Sequence, residues 1–210
     1  MSRQGVFITF EGGEGAGKTT LIDSLSSYLE ELGISFLKTR APGGTELGKQ
    51  IRHLLLHSDH AKLDARAELL LFLADRAQHV QQVILPALQE GKVVLCDRFN
   101  DSTIAYQGVA RGLSQEVVAK QCAFACFDLQ PDLTFYLDLD PKVGFSRTAA
   151  RGKDRIESEQ HIFHENIRKA FQMLAEQFPQ RIVTLDASGE QTQVFSHAKE
   201  KLDAFFLTHR

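Results

Sequence analysis

The stretch "GVFITFEGGEGAGKTTLIDSLSSYLEEL" constrains the fold of this chain more than any other. An apolar run rich in Phe and Ile reads as a buried strand, a glycine cluster follows, and then a segment of helical period closed by Gly33. Gly12, Gly13, Glu14, Gly15, Ala16, Gly17, Lys18 and Thr19, with Thr20 after them, fit the pattern G-x4-G-K-[ST] at this strand-to-helix junction. The glycines let the backbone curl so that N–H groups point inward at phosphate oxygens. Lys18 has the reach for β- and γ-phosphates, the Thr19 hydroxyl suits Mg²⁺, and the helix N-terminus adds positive potential. From average residue usage the pattern alone arises by chance in about one chain in a hundred of this length. In its strand–loop–helix setting it marks a nucleoside triphosphate site. Two carboxylates, Glu11 and Glu14, stand in or beside this anion cradle, and the rest of the chain has to account for them.

The remaining pattern repeats the same alternation. "ISFLKT", "KVVLCD", "LTFYLDL" and "RIVTLD" read as further strands. Helical periods run over about 64–88 (stripe Leu69, Leu70, Leu73, Ala77, Val80), 114–127, 141–150, 158–178 and 192–207. Strands separated by helices require crossover connections, so the expected class is α/β: a five-stranded parallel sheet with helices on both faces, in one domain over 1–210. Ligands of such sheets bind at the carboxyl ends of the strands. With 43% hydrophobic residues and a net charge of -3, the chain carries no global basic field for nucleic acid, so an anion site must be built locally. No apolar run reaches the ~20 residues of a membrane span, and an export signal is not seen. Cys96, Cys122 and Cys126 form no framework spacing and read as reduced core thiols of a cytoplasmic chain. His53, His57 and His60 share a helical spacing that mimics a metal site but suits a solvated face.

A triphosphate can serve a switch, a motor or a transferase. The N/T-K-x-D run of a base-reading GTPase is absent from the sequence. A small-molecule kinase needs a second anion site facing the first, and arginines follow the strand ends: Arg40, Arg52, Arg76 and Arg98. Each alone could coat a solvated surface. Asp97 and Arg98 together are more informative, because an acid leaving a buried strand beside a phosphate loop suits Mg²⁺ and the adjacent guanidinium can hold a phosphate bidentately.

Taken in order, "FEGGEGAGKTT", "TRAPGGTELGKQIRHLLL", "AELLLFLADRAQH", "DRFNDSTIAYQG", "PDLTFYLDLDPKVGFSR" and "RGKDRIE" resemble the bacterial thymidylate kinases along nearly the whole chain. The resemblance implies a three-layer P-loop kinase fold with a small arginine-rich lid at about 146–158. It implies transfer of the γ-phosphoryl group of ATP to dTMP with Mg²⁺, and a homodimer. It places Phe72 against the thymine ring and Arg76, one helical turn on, at a base oxygen. Thr103, with Ser102 adjacent, reads the pyrimidine edge; Tyr106 lies against the sugar and Gln107 lines the same pocket. Arg98 and Arg52 hold the acceptor phosphate over the turn Pro42–Gly43–Gly44. Two positions depart from the family pattern: Ala41 stands where Glu is common, and Phe99 where Tyr or His is usual.

Between two helical patterns, Arg147, Arg151, Lys153 and Arg155 form a basic run that alone reads as a solvated loop. In a phosphate-loop kinase it fits a lid. The resemblance puts Arg147 against adenine, beside "LDAS" at 185–188, and makes Arg151 and Arg155 candidates for the cation at the transferring phosphoryl group. Family members that carry this cation in the phosphate loop have an arginine there, and this loop has none. The same pattern turns Glu14 toward a sugar hydroxyl of the acceptor; Glu11 receives no role. Two other readings stay open on sequence alone: the same fold acting on another nucleoside monophosphate or a deoxynucleoside, and an ATP-binding regulator without an acceptor.

Overall fold

Short strands that are apolar on both faces can be used only by a sheet covered on both sides. The computed structural model describes residues 4–57, 63–150, 152 and 154–208. Among them, β1 (Val6–Gly12), β2 (Phe36–Arg40), β3 (Val93–Asp97), β4 (Leu133–Asp138) and β5 (Ile182–Asp186) form one parallel sheet in the order β2-β3-β1-β4-β5. The three inner strands are buried almost end to end, and the edge strands β2 and β5 only in part. Successive residues of β1 point to opposite faces. Ile8 and Phe10 pack with Leu95, Phe135 and Leu137 under α1 (Lys18–Glu31) and α9 (Gln191–Thr208) through Leu21, Leu25, Leu29 and Leu202. Phe7, with Val94 and Cys96, faces Val80, Ile84 and Leu88 on the other side. There α8 (His161–Gln177) brings Ile167, Phe171 and Leu174 onto Tyr136. The result is the three-layer α/β arrangement expected from the sequence.

Register aligns the polar strand ends. Arg40 pairs with Asp97, Asp97 with Phe10, and Glu11 with Tyr136, so the loops leaving β1, β2 and β3 open on one edge of the sheet. Chain order reverses about β1, the place where open α/β sheets form a crevice.

The helix expected over 64–88 is present as α3 (Ala65–His79), a π-turn at Val80–Ile84 and α4 (Leu85–Gln89). Pro86 has no N–H to continue the regular ladder, which accounts for the wider turn before it. Leu70, counted in the apolar stripe, is 61% exposed. The sequence reading missed two segments. The first is α2 (Glu46–His57), where the Thr45 hydroxyl caps the Gly48 N–H at 2.9 Å. The second runs through α5 (Asn100–Thr103) and a π-turn at Ile104–Ala110. In this second segment Asn100, Asp101, Ser102, Thr103 and Gln107 are all buried, so polar residues occupy the places where apolar periodicity would show. Further helices are α6 (Gln115–Ala125) and α7 (Pro141–Thr148).

Cys96, Cys122 and Cys126 are buried free thiols, and His53 and His57 are exposed on α2; His60 lies outside the described residues. Among the described residues, no helix is long and apolar enough to cross a membrane. Phe135 is fully buried at the centre of the sheet against the Phe10 ring, 5.7 Å between centroids. Phe135→Ala should cost about 3–5 kcal/mol, read as a lower urea midpoint with an unchanged m-value.

Candidate active site

The phosphate loop begins where β1 ends. Gly17, at φ 92°, starts α1 without a side-chain cap, so backbone N–H groups of the first turn are left for an anion. Gly15 (φ 67°) lies so close to α7 that an added Cβ would sit 2.2 Å from the Gly144 carbonyl oxygen. Lys18 Nζ folds back over the loop, donating to the carbonyls of Gly13 at 2.8 Å and Gly12 at 3.3 Å. Burial, and then the nearby Arg98 charge, pull its pKa down to about 8, against the carboxylates of Asp97, Glu14 and Glu11. Thr19 and Thr20 stand exposed on the first turn of α1 and line the cavity.

Facing this loop, the residues after β2 and β3 supply the second cluster. Arg98 adopts φ 67°, a left-handed conformation that costs a non-glycine residue about 1–3 kcal/mol. Its Nη1 donates to Gly12 O at 2.9 Å and Ser102 Oγ at 3.1 Å, and its guanidinium lies 5.2 Å from the Tyr106 ring centroid. Burial would lower the Arg98 pKa, but Tyr106, Asp97, Glu14 and Glu11 raise it above the ordinary arginine value. Arg52 donates to Pro42 O at 3.0 Å; burial and then the charges of Arg40 and Arg98 lower its pKa. Mutual destabilisation of clustered guanidiniums suits a dianion between them. Asp75 fixes the turn that carries this cluster by accepting from Gly43 N–H at 3.0 Å. Asp97 Oδ1 is buried with no hydrogen-bond partner among the described residues.

Beside the cluster lies an aromatic and polar pocket. Phe72, Arg76, Thr103, Tyr106 and Gln107 all line it. Arg76 is 2% exposed, donates to Asn100 Oδ1 at 2.7 Å and lies 4.3 Å from the Phe99 ring centroid. Phe99 therefore keeps an aromatic face despite departing from the family pattern. Ala41 is buried in the same apolar cluster as Phe99. Ser102 is already engaged by Glu11 and Arg98, and Gln107 Nε2 donates to Glu68 at 2.8 Å.

The lid region meets the cavity from the other side. Arg147 donates to the carbonyls of Ala187 at 2.9 Å and Ser188 at 3.3 Å, which brings the expected adenine-side residues together. Arg151 lies outside the described residues. The structure does not bring Arg155 to the phosphate loop. Its Nη2 is 2.5 Å from Glu68 Oε2 and its Nε donates to Leu55 O at 2.8 Å, while Arg111 binds the same carboxylate. Burial would raise Glu68, but Arg111, Gln107 and Arg155 hold it below its ordinary value. Glu68 was not read from the sequence, since an acid on an amphipathic helix signals only a solvated face. Asp154 and Glu157, also missed, line the cavity. Burial and then Glu14, to which the Glu157 carboxyl hydrogen-bonds, raise the Glu157 pKa.

Together these residues enclose a cavity of about 1160 Å³ that runs from the phosphate loop to Phe72 and, on the other side, to Ala187. A cation-rich cleft with two anion sites and two flat pockets can hold two nucleotides end to end. The thymidylate kinase family model matches residues 10–198. The chain is 51% identical over 209 residues to the thymidylate kinase of Protochlamydia amoebophila, covering 95% of this chain and 93% of the relative. It is 52% identical over 189 residues to that of a Synechococcus strain, with 90% of each covered. The crystal structure of thymidylate kinase from Ehrlichia chaffeensis superposes with a TM-score of 0.77 at 34% identity, covering 94% of this chain and 98% of that one.

The contact between the phosphate loop and α7 is backbone on backbone, since a Cβ at Gly144 would meet Glu14 O at 2.1 Å. Gly144→Ala should lower stability by about 1–3 kcal/mol and weaken ATP binding. At Gly152 a Cβ meets no described atom within 4 Å, so Gly152→Ala should leave the melting temperature unchanged. Thermal unfolding of the pair, with and without ATP, checks the contrast.

Proposed function

The chain belongs to the thymidylate kinase family and transfers the γ-phosphoryl group of ATP to dTMP, giving dTDP and ADP; we propose that this reaction runs in the cavity between the phosphate loop and the arginine cluster. The observation that carries the assignment is the facing of two anion sites, Lys18 with the uncapped α1 terminus on one side and Arg98 with Arg52 on the other. In this reading an oxygen of the dTMP phosphate, already anionic, attacks the γ-phosphorus. The new P–O bond forms as the bond to the β–γ bridging oxygen breaks, so no general base is required. Lys18 and the loop N–H groups hold the donor; Arg98 and Arg52 hold the acceptor phosphate and cancel its repulsion.

Phe72 stacks on the base and Arg76 meets a base oxygen. Thr103, with Ser102 adjacent, reads the pyrimidine edge, and Gln107 lines the same pocket. Tyr106 lies against the sugar and Glu14 meets its hydroxyl. Arg147, with the 185–188 backbone, takes adenine. The buried Asp97 Oδ1, unpartnered among the described residues, and the exposed Thr19 hydroxyl fit Mg²⁺, which when bound neutralises charge on the β- and γ-oxygens. With Arg155 engaged by Glu68, the lid cation at the transferring group is Arg151. The kinase unit is one domain with its lid, and the reduced thiols suit the cytoplasm. Exposed Leu70, Val117 and Phe124, on the packed pair α3 and α6, supply an apolar face for a homodimer.

Phosphoryl transfer measured across dTMP, dUMP, dCMP, AMP and GMP should favour dTMP; a different preference would overturn the acceptor assignment. Arg98→Ala should cost about 3 kcal/mol in kcat/KM for dTMP with ATP binding intact. Arg151→Ala should instead act mainly on kcat, by about 10³-fold, and Arg155→Ala far less. Steady-state kinetics with each substrate varied separates these effects.

A further inference from the structure

Glu11 is the one charged residue of β1. It is fully buried and does not line the cavity. Among the described residues, the hydrogen bonds of its carboxylate run to the segment that follows Arg98. Oε1 accepts from Phe99 N–H at 2.7 Å and from Ser102 N–H at 3.3 Å, and Oε2 accepts from the Ser102 hydroxyl. Ser102 Oγ in turn accepts from Arg98 Nη1 at 3.1 Å. The same short helix is tied down on its far side, where Arg181 makes a two-point contact with Asp101 at 2.6 and 2.9 Å.

We infer that Glu11 is the positioning residue for Arg98: it holds the backbone after β3 in the left-handed turn that aims the Arg98 side chain across the phosphate loop. Three facts converge on this. Arg98 alone in this turn has a positive φ that its side chain disfavours, so the conformation must be imposed by neighbours. The N–H of Phe99, directly after it, and the N–H of Ser102 end on one carboxylate from another strand. The same carboxylate orders the hydroxyl that the Arg98 guanidinium uses. The inference rests on the acceptor role proposed for Arg98, and the test below separates the two.

Steady-state kinetics and ATP titration are needed for Glu11→Ala, Glu11→Gln, Arg98→Ala and the double variant Glu11→Ala/Arg98→Ala. Glu11→Ala should lower kcat/KM for dTMP by about 10- to 100-fold, the loss of hydrogen bonds to a charged group. Its effect on ATP affinity should stay within about threefold, near the limit of independent sites. Glu11→Gln keeps an acceptor for Phe99 N–H and a partner for Ser102, and should recover activity to within about fivefold of the parent. On the Arg98→Ala background, Glu11→Ala should add less than about threefold. Full multiplication of the two losses, or an equal fall in ATP and dTMP affinity, would overturn the positioning role. So would Glu11→Gln behaving as badly as Glu11→Ala. If Glu11→Ala does not fold, Glu11→Gln and Ser102→Ala run the same cycle: Ser102→Ala should lose dTMP use only while Arg98 is present, and independence of Arg98 would overturn the inference. If Arg98→Ala itself leaves dTMP use intact, the acceptor assignment fails instead.

Discussion

Two nucleotides carrying several negative charges each must be brought to bonding distance, and that repulsion governs where everything else in this molecule sits. A parallel sheet solves part of the problem by geometry. Its strands end together, so cations placed after β1, β2 and β3 converge without long insertions. The uncapped start of α1 adds positive potential with no side chain at all. The cost is a set of guanidiniums and an ammonium crowded into a buried place, where burial first and then the neighbouring arginine charges lower the pKa values of Lys18 and Arg52.

Buried carboxylates offset that cost from behind. Glu11 stands beneath Arg98, with its own pKa pushed up to about 7 by burial and by Asp101 and partly restrained by Ser102, Arg98 and Phe99. Asp101 is matched by Arg181, and Asp75 ties the turn below Arg52. Glu68 gathers Arg111, Arg155 and the pocket residue Gln107 at one point. Replacing buried ion pairs with apolar side chains is often neutral for stability. These acids therefore make better sense as devices that fix where arginines point than as sources of stability.

Much of this was legible in the sequence because it rests on local rules. The strand, glycine loop and helix around Lys18 follow from residue pattern alone, and all five strands lie close to where apolar runs put them. What escaped notice was structure stabilised by polar contacts. The 100–110 segment carries Ser102, Thr103, Tyr106 and Gln107, and its buried Asn100, Asp101, Ser102, Thr103 and Gln107 interrupt the apolar period that Ile104, Ala105 and Val109 would otherwise show. Arg155 looked equivalent to Arg151 in a basic run; only the tertiary fold reveals the Glu68 carboxylate waiting for it. Glu11 stands out as an acid beside the phosphate loop, and its partners Phe99 and Ser102 are about ninety positions away. No local rule reaches that far.

The most direct measurement is a crystal structure with dTMP and a non-hydrolysable ATP analogue bound together. The dTMP phosphate should lie between Arg98 and Arg52, facing the γ-phosphate over Lys18, with Arg98 still near φ 67° and Glu11 still bonded to Phe99 and Ser102. An acceptor phosphate that touches neither arginine, or an Arg98 backbone relaxed to negative φ in the filled site, would contradict it.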